Sequence, residues 1–424
     1  MSHSWSQAIF DRYHVHLPDD VRSLLDNLPQ AIELAGEFDQ IADMDDLLSE
    51  APRLLLPGMM LPNVLPIVSN RYGDWLCGRV DQAGTIVEVL HWYHGGGDWI
   101  PYGKSFAEAL LYDACQAAVP NALNGKPCRL PFEFGLWLAE HLNSDPKEIE
   151  AVWGLFHDGL IFDGLQMLLE CEWCQVVVHR DLVEMALAGP LRICSDPGLG
   201  RIGSHAEITR WKFDAKLTPE SSRDRISQLL EMPFRDWSSQ NWALAHEFAR
   251  RITKTRSDLA WAWHIAGYAE QVQGNAAGAA HNYYQGLGAS VFSDQSVRMR
   301  THWFEDRFGK FSAALLYELR DSLTASMRVD DYLNVLWSSD PSTTVSQQVT
   351  DYWQSKALQS IDSEAAYQNW MRAGWDVGCQ QWNRFETIFD GLVESAETSQ
   401  WTALAKLARS HRIALRNRQL VRRG

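Results

Sequence analysis

Residues 64–80 read Val-Leu-Pro-Ile-Val-Ser-Asn-Arg-Tyr-Gly-Asp-Trp-Leu-Cys-Gly-Arg-Val, and they decide how the front of the chain folds. Trp75 to Val80 is a strand candidate. Asp81-Gln82-Ala83-Gly84 follows as a hairpin turn, with Gly84 able to take a positive φ. Thr85 to Tyr93 is the return strand, rich in β-branched and aromatic residues. Ile86, Glu88, Leu90 and Trp92 share one face, and Val87, Val89, His91 and Tyr93 share the other. Apolar side chains on both faces predict a strand covered on both sides or lying beside a helix. Gly95-Gly96-Gly97 then breaks the sheet. Ser105 and Glu108 have the spacing of a capping box, opening a helix through Leu110, Leu111 and Tyr112.

Upstream, Pro18 opens a short helix whose first turn carries Asp19 and Asp20, which complement the helix dipole. Downstream, Pro120, Asn124-Gly125, Pro127 and Pro131 mark residues 119–131 as a linker. Asp145-Pro146 with Glu148 is another capped helix start. A Gly/Pro loop covers 194–204, and from about residue 219 nearly everything has helical period. The expected organisation is an α+β domain over 1–118, a linker over 119–131, a helical connecting region over 132–204 and an α-helical repeat domain over 205–424.

Within that last region, Trp263, Ala266-Gly267, Gly274, Ala279, Tyr283 and Leu287 match the spacing of a tetratricopeptide repeat. Small residues let two helices approach, Trp263 and Tyr283 fill what remains, and Gly274-Asn275 makes the turn. A shift of about 34 residues makes Trp242 to Ile252 the second helix of a preceding unit. A further shift reaches Gly309, Phe311 and Ala313. One such unit cannot bury its own faces, so neighbours are expected.

The chain has 424 residues and a net charge of −16. Residues 1–120 hold 17 acidic and 6 basic side chains, whereas Lys406, Arg409, Arg412, Arg416, Arg418, Arg422 and Arg423 close the chain with no Asp or Glu among its last 24 residues. An acidic front repels phosphates, which argues against nucleic acid as its ligand, and it suits capture of a basic partner. The 19 tryptophans read chiefly as gap-fillers between helices, a residue type also favoured at interfaces. No signal peptide is visible. The most apolar run, Leu54 to Val68, is broken by three prolines, so no membrane span is expected. Seven cysteines without a disulfide framework point to a cytoplasmic protein.

Ser69-Asn70-x-x-Gly73-Asp74-Trp75-Leu76-Cys77 resembles the central signature of the SUKH superfamily of fungal cell-wall assembly regulators and bacterial toxin-immunity proteins. Leu17-Pro18 upstream, the Val87–Trp92 strand and the helix with Ser105, Phe106, Glu108 and Leu111 belong to the same resemblance, which covers roughly residues 5–118. Many relatives carry glycine directly after the Asn of this signature, where this chain has Arg71. The resemblance implies an α+β fold with helices packed around a mixed sheet. It also implies a protein-binding function, often the neutralisation of a toxin.

Constellations with catalytic or metal-binding character are sparse. Cys171-Glu-Trp-Cys174 with His179 is a possible zinc corner, but zinc sites usually need a second such pair; structural thiols are expected and no metal is assigned. His179-Arg180-Asp181 mimics a kinase catalytic loop without its nucleotide loop or downstream Asp-Phe-Gly. His91 and His94 beside the glycine run form the most site-like cluster, yet one strand would point them to opposite faces.

The expectation is a non-enzymatic, cofactor-free, protein-binding protein of open oligomeric state, whose Asp74, Asp81, Glu88 and Asp98 capture a protein partner such as a basic toxin. A regulatory scaffold that recruits partners through its helical repeats is the alternative. The basic C-terminal segment is expected to be a solvated helix end.

Overall fold

The computed structural model describes residues 4–27, 33–94, 97, 99–126, 129–178, 242–289, 291–292, 310–338, 345–377 and 382–423. Contacts divide the chain into two units. The first comprises residues 1–180, 359–370 and 382–424, and the second comprises 181–358 and 371–381. The front of the chain builds a five-stranded sheet with helices, and a long run of helices follows it.

In the first unit, β1 (Phe38–Ile41), β2 (Val64–Asn70), β3 (Trp75–Val80), β4 (Ile86–Trp92) and β5 (Trp99–Gly103) pair antiparallel in chain order. β2 is buried along its whole length. It tolerates Pro66 because the register shifts between Pro66 and Val68, where a ladder bond is dispensable. The β3–β4 turn is built as its residues demand. Gly84 sits at φ 79°, and the Asp81 carboxylate accepts the Thr85 N–H at 2.8 Å. A side chain at Gly84 would strike the His14 carbonyl at 2.6 Å. The broken alternation of β4 has a local cause: the β5 register shifts between Val89 and Leu90, and both are buried.

The helices of this unit are α1 (Trp5–Tyr13), α2 (Asp19–Asn27), α3 (Met44–Leu48), α4 (Phe106–Leu123), α5 (Phe132–His141), α6 (Pro146–His157) and α7 (Ile161–Glu170). α4 packs against β3, β5, α2, α5 and α6. Its start satisfies its free amides thoroughly. Ser105 accepts from Glu108 N, Asp20 from Ala107 N, and the Glu108 carboxylate from Lys104 N, one residue further back than a reciprocal box requires. Helix α4 also runs on through Pro120 to Leu123, so the loop expected from residue 119 begins at Asn124.

Far along the chain, α16 (Phe385–Thr398) and α17 (Thr402–Arg423) belong to this same unit. Arg416, Arg412 and Arg409 on α17 pair with Glu386, Asp390 and Glu397 on α16, an antiparallel ladder of opposite charges. Arg418 donates to the Arg53 and Leu55 carbonyls at 2.8 and 2.9 Å, and Lys406 to the Asp11 carbonyl at 3.2 Å. Five of the basic side chains, from Lys406 to Arg418, are therefore engaged within their own unit, where α17 packs against α1. Gly391 makes room for Trp370, whose ring would lie 2.1 Å from any Cβ there.

The second unit is helical: α8 (Trp242–Thr255), α9 (Ala260–Val272), α10 (Ala276–Gly288), α11 (Phe311–Glu318), α12 (Ala325–Arg328), α13 (Asp331–Trp337) and α14 (Val345–Gln359, whose last residue counts with the first unit). α15 (Ser363–Trp375) lends its last turn, from Met371, to this unit. α9 and α10 form a tight hairpin. Gly274 turns at φ 81°, Asn275 caps α10 through Gly278 N, and Gly267 leaves space for the Tyr283 ring, which would lie 2.4 Å from a Cβ. Trp263 is half-buried against the Ala260–Ala289–Val291 cluster. His264 and Ser312, both sealed from solvent, bond at 2.7 Å and clip α9 to α11. Gly309 of the further shift lies outside the described residues.

Candidate functional site

The four acidic residues expected to capture a partner are occupied where they are described. Asp74 is a hub of the β2–β3 turn. Its Oδ2 accepts from Asn70 Nδ2 at 3.2 Å and lies 3.7 Å from His91 Nε2, while its Oδ1 accepts from His94 N at 2.8 Å. Asn70 Oδ1 in turn accepts from Tyr72 N and Asp74 N, and Gly73 takes φ 87°. This Ser69–Trp75 stretch is thus a side-chain-locked turn. Partial burial pushes the Asp74 carboxyl up, but His91, His94 N–H and Asn70 outweigh it and hold it below the usual carboxylate range. Asp81 closes the hairpin, and Glu88 forms a cross-strand ion pair with Arg79 at 2.5 Å. Asp98 lies outside the described residues.

Of the His91/His94 cluster, His91 is half-buried among other rings and His94 is exposed. His91 stacks on Tyr93 with ring centres 3.9 Å apart and meets Phe38 and Tyr102 edge-on. Cys174 is buried, and its Sγ donates to the Glu108 carbonyl at 3.1 Å. Burial pushes both the Cys171 and Cys174 thiols up. His179, Cys128 and Cys194 lie outside the described residues. Among the described residues no group of three or more His, Cys, Asp or Glu converges to hold a metal ion, and no helix is long and apolar enough to cross a membrane.

A concave site lies in the second unit: a cleft of about 450 Å³ whose lining includes Trp263, Tyr284, Asp330, Tyr332, Tyr352 and Trp353. That volume is within the range of small-ligand and side-chain pockets. Each element contributes for a local reason. Trp263 faces outward from α9, its Nε1 donating to the Ser257 carbonyl at 2.8 Å. Asp330 is the N-cap of α13, accepting from Leu333 N at 2.7 Å through Oδ1 and from the Tyr284 hydroxyl at 2.8 Å through Oδ2. Burial, then the Asp330 carboxylate, pushes the Tyr284 hydroxyl up to about 12, which keeps it a donor. Tyr332, Tyr352 and Trp353 form a ring cluster with centres 4.9 to 5.3 Å apart.

Behind these rings lies a buried ion pair. Lys310 Nζ is 3.0 Å from Asp376 Oδ1, and Tyr332 and Trp353 both donate to Asp376 Oδ2. Burial alone would raise the Asp376 carboxyl, but Lys310, Arg372 and the Tyr332 hydroxyl reverse that and hold it below its usual range, ionised. Lys310 also donates to the Leu287 carbonyl at 3.1 Å and lies 5.1 Å from the Tyr332 ring centre. The network fixes two cleft rings from behind.

Sequence reasoning selected Trp263 as packing and passed over the rest. The available signal was the aromatic doublets Tyr283-Tyr284 and Tyr352-Trp353 with Asp330-Asp331-Tyr332 between them. Compared with known protein families, curated proteins and solved structures, the chain matches none.

Proposed function

We propose that this chain is a non-enzymatic protein-binding protein that recruits its partner through the aromatic cleft of its helical unit. One observation carries the reading. Five Tyr and Trp side chains and a capping carboxylate line a single concavity, and two of the rings are locked by a buried ion pair. Aromatic anchors held rigid at a pocket are how binding surfaces obtain affinity at low entropic cost. The scaffold alternative thus gains over capture by the N-terminal acids, three of which serve turn and cross-strand bonds.

Neutralisation of a basic toxin by the N-terminal unit, as the SUKH resemblance implies, is the second reading. The unbalanced acidity of residues 1–120 favours it. The test is affinity capture from the native host with the full-length chain, beside the variants Tyr352→Ala and Asp81→Asn/Glu88→Gln. Loss of a captured protein with Tyr352→Ala supports the cleft; loss with the acidic variant alone transfers the function to the sheet.

A further inference from the structure

Asp330 is a carboxylate with unused capacity in an aromatic setting. Each of its oxygens accepts one hydrogen bond, from Leu333 N and from the Tyr284 hydroxyl, and a carboxylate oxygen can accept a second. Among the described residues no Lys, Arg or His forms an ion pair with it. Nearby cations are differently engaged: Lys310 is paired with Asp376, Arg372 lies 4.7 Å from the Trp353 ring centre, and Lys356 lies 5.3 Å from that of Tyr352. Asp331, adjacent in the chain, adds a second negative charge. The cleft therefore presents an unpaired anion beside Trp263, Tyr284 and Tyr352, which are half-buried and keep part of their surface in solvent.

A planar, weakly hydrated cation suits such a place. Guanidinium stacks on aromatic faces and bonds carboxylates through more than one N–H, and its alkyl stem covers apolar surface. An anion would meet Asp330 and Asp331 unfavourably, and a neutral aliphatic side chain would desolvate the carboxylate without supplying a counter-charge. We infer that the cleft is an arginine-reading pocket: it takes the guanidinium of an arginine presented by the partner protein, with the head on Asp330 and the stem against Trp263 and Tyr352. This inference rests on the cleft reading above and supplies its ligand chemistry.

The test uses the full-length chain and two small probes, N-acetyl-arginine methylamide and its citrulline counterpart, which has nearly the same shape without the charge. Binding is read from ligand-observed NMR. The arginine probe should bind at least about tenfold more tightly than citrulline, the discrimination that a charge-assisted bond plus a cation–π contact provides. Asp330→Asn, which keeps the helix cap through its Oδ1 and can donate from its Nδ2 to the Tyr284 hydroxyl oxygen in place of accepting from it, should erase that difference, and Tyr352→Ala should weaken the arginine probe. Raising the salt concentration should weaken arginine binding and leave citrulline unchanged. Equal binding of the two probes, or none, overturns the inference. So does discrimination that survives Asp330→Asn. If the probes fail while partner capture still depends on Tyr352, the cleft function stands without arginine. If the probes succeed while capture ignores the cleft, the pocket chemistry stands and the recruiting role falls.

Discussion

Lys310 Nζ and Asp376 Oδ1 lie 3.0 Å apart with both residues sealed from solvent. Such a pair costs desolvation that it recovers only through complete hydrogen bonding. Here the bonds are present: Lys310 reaches the Leu287 carbonyl, and Asp376 accepts from Tyr332 and Trp353.

Removing one partner is therefore expected to be severe. Lys310→Met should cost about 3–5 kcal/mol, because it strands a buried carboxylate, while Lys310→Met/Asp376→Leu should recover much of that loss. Denaturant unfolding of the full chain, followed for its second unit, checks both. A single variant within about 0.5 kcal/mol of wild type would show that the pair is not closed to water.

Two buried groups in the first unit titrate with opposite consequences. Asp113 accepts the Phe38 N–H at 3.0 Å, and burial raises its carboxyl to about 7. The folded state thus binds the proton more tightly than the unfolded one, so this group's contribution falls as pH rises from about 4 to about 7. His411, stacked on Phe389, is lowered by burial to about 3. Its contribution falls as pH drops from about 6.5 toward 3. Each effect has a slope of up to about 1.4 kcal/mol per pH unit, and they oppose one another between about pH 4 and 6.5. Relative to wild type, Asp113→Asn should tilt stability toward neutral pH and His411→Leu toward acid pH. Thermal melts from pH 4 to 7 read the tilt, and parallel profiles would refute it.

Asp74→Ala should loosen the β2–β3 turn, because Asn70 and the His94 amide lose a shared acceptor. The expected loss is about 1–3 kcal/mol. Amide exchange should quicken at residues 70–76 and at His94. Unchanged exchange there would show that the turn holds without its carboxylate.

Gly267→Ala should destabilise the α9–α10 hairpin by about 1–3 kcal/mol, since the new Cβ meets the Tyr283 ring. Tyr283→Leu in the same chain should relieve part of that cost. A neutral Gly267→Ala, measured by urea unfolding, would mean that the two helices can separate freely.

How much of this was legible depended on whether the cause was local. The hairpin at Asp81–Gly84, the caps at Ser105, Asp145 and Asn275, and the Gly267–Tyr283 contact follow from residue type and short spacing. What escaped the sequence was long-range. Nothing near Asp74 announces that its carboxylate serves the backbone 20 residues later. The arginines of α17 read as a solvated helix end, and nothing in their own stretch points to Glu386, Asp390 and Glu397 as the partners of three of them. The cleft joins residues from 257 to 353, and no local periodicity reports such a convergence.

The ladder between α16 and α17 carries a consequence for how the chain is made. Residues 1–180 belong with 382–424, and most of the second unit is threaded between them. Synthesis delivers the sheet first and its last helices more than two hundred residues later. At about 5–20 residues per second, the wait is of the order of ten seconds or more. Until then the surface of α1 and the Arg53–Leu55 carbonyls stand without the cover that α17 supplies. A nascent chain halted before residue 385 should bind holdase chaperones longer than one released at full length.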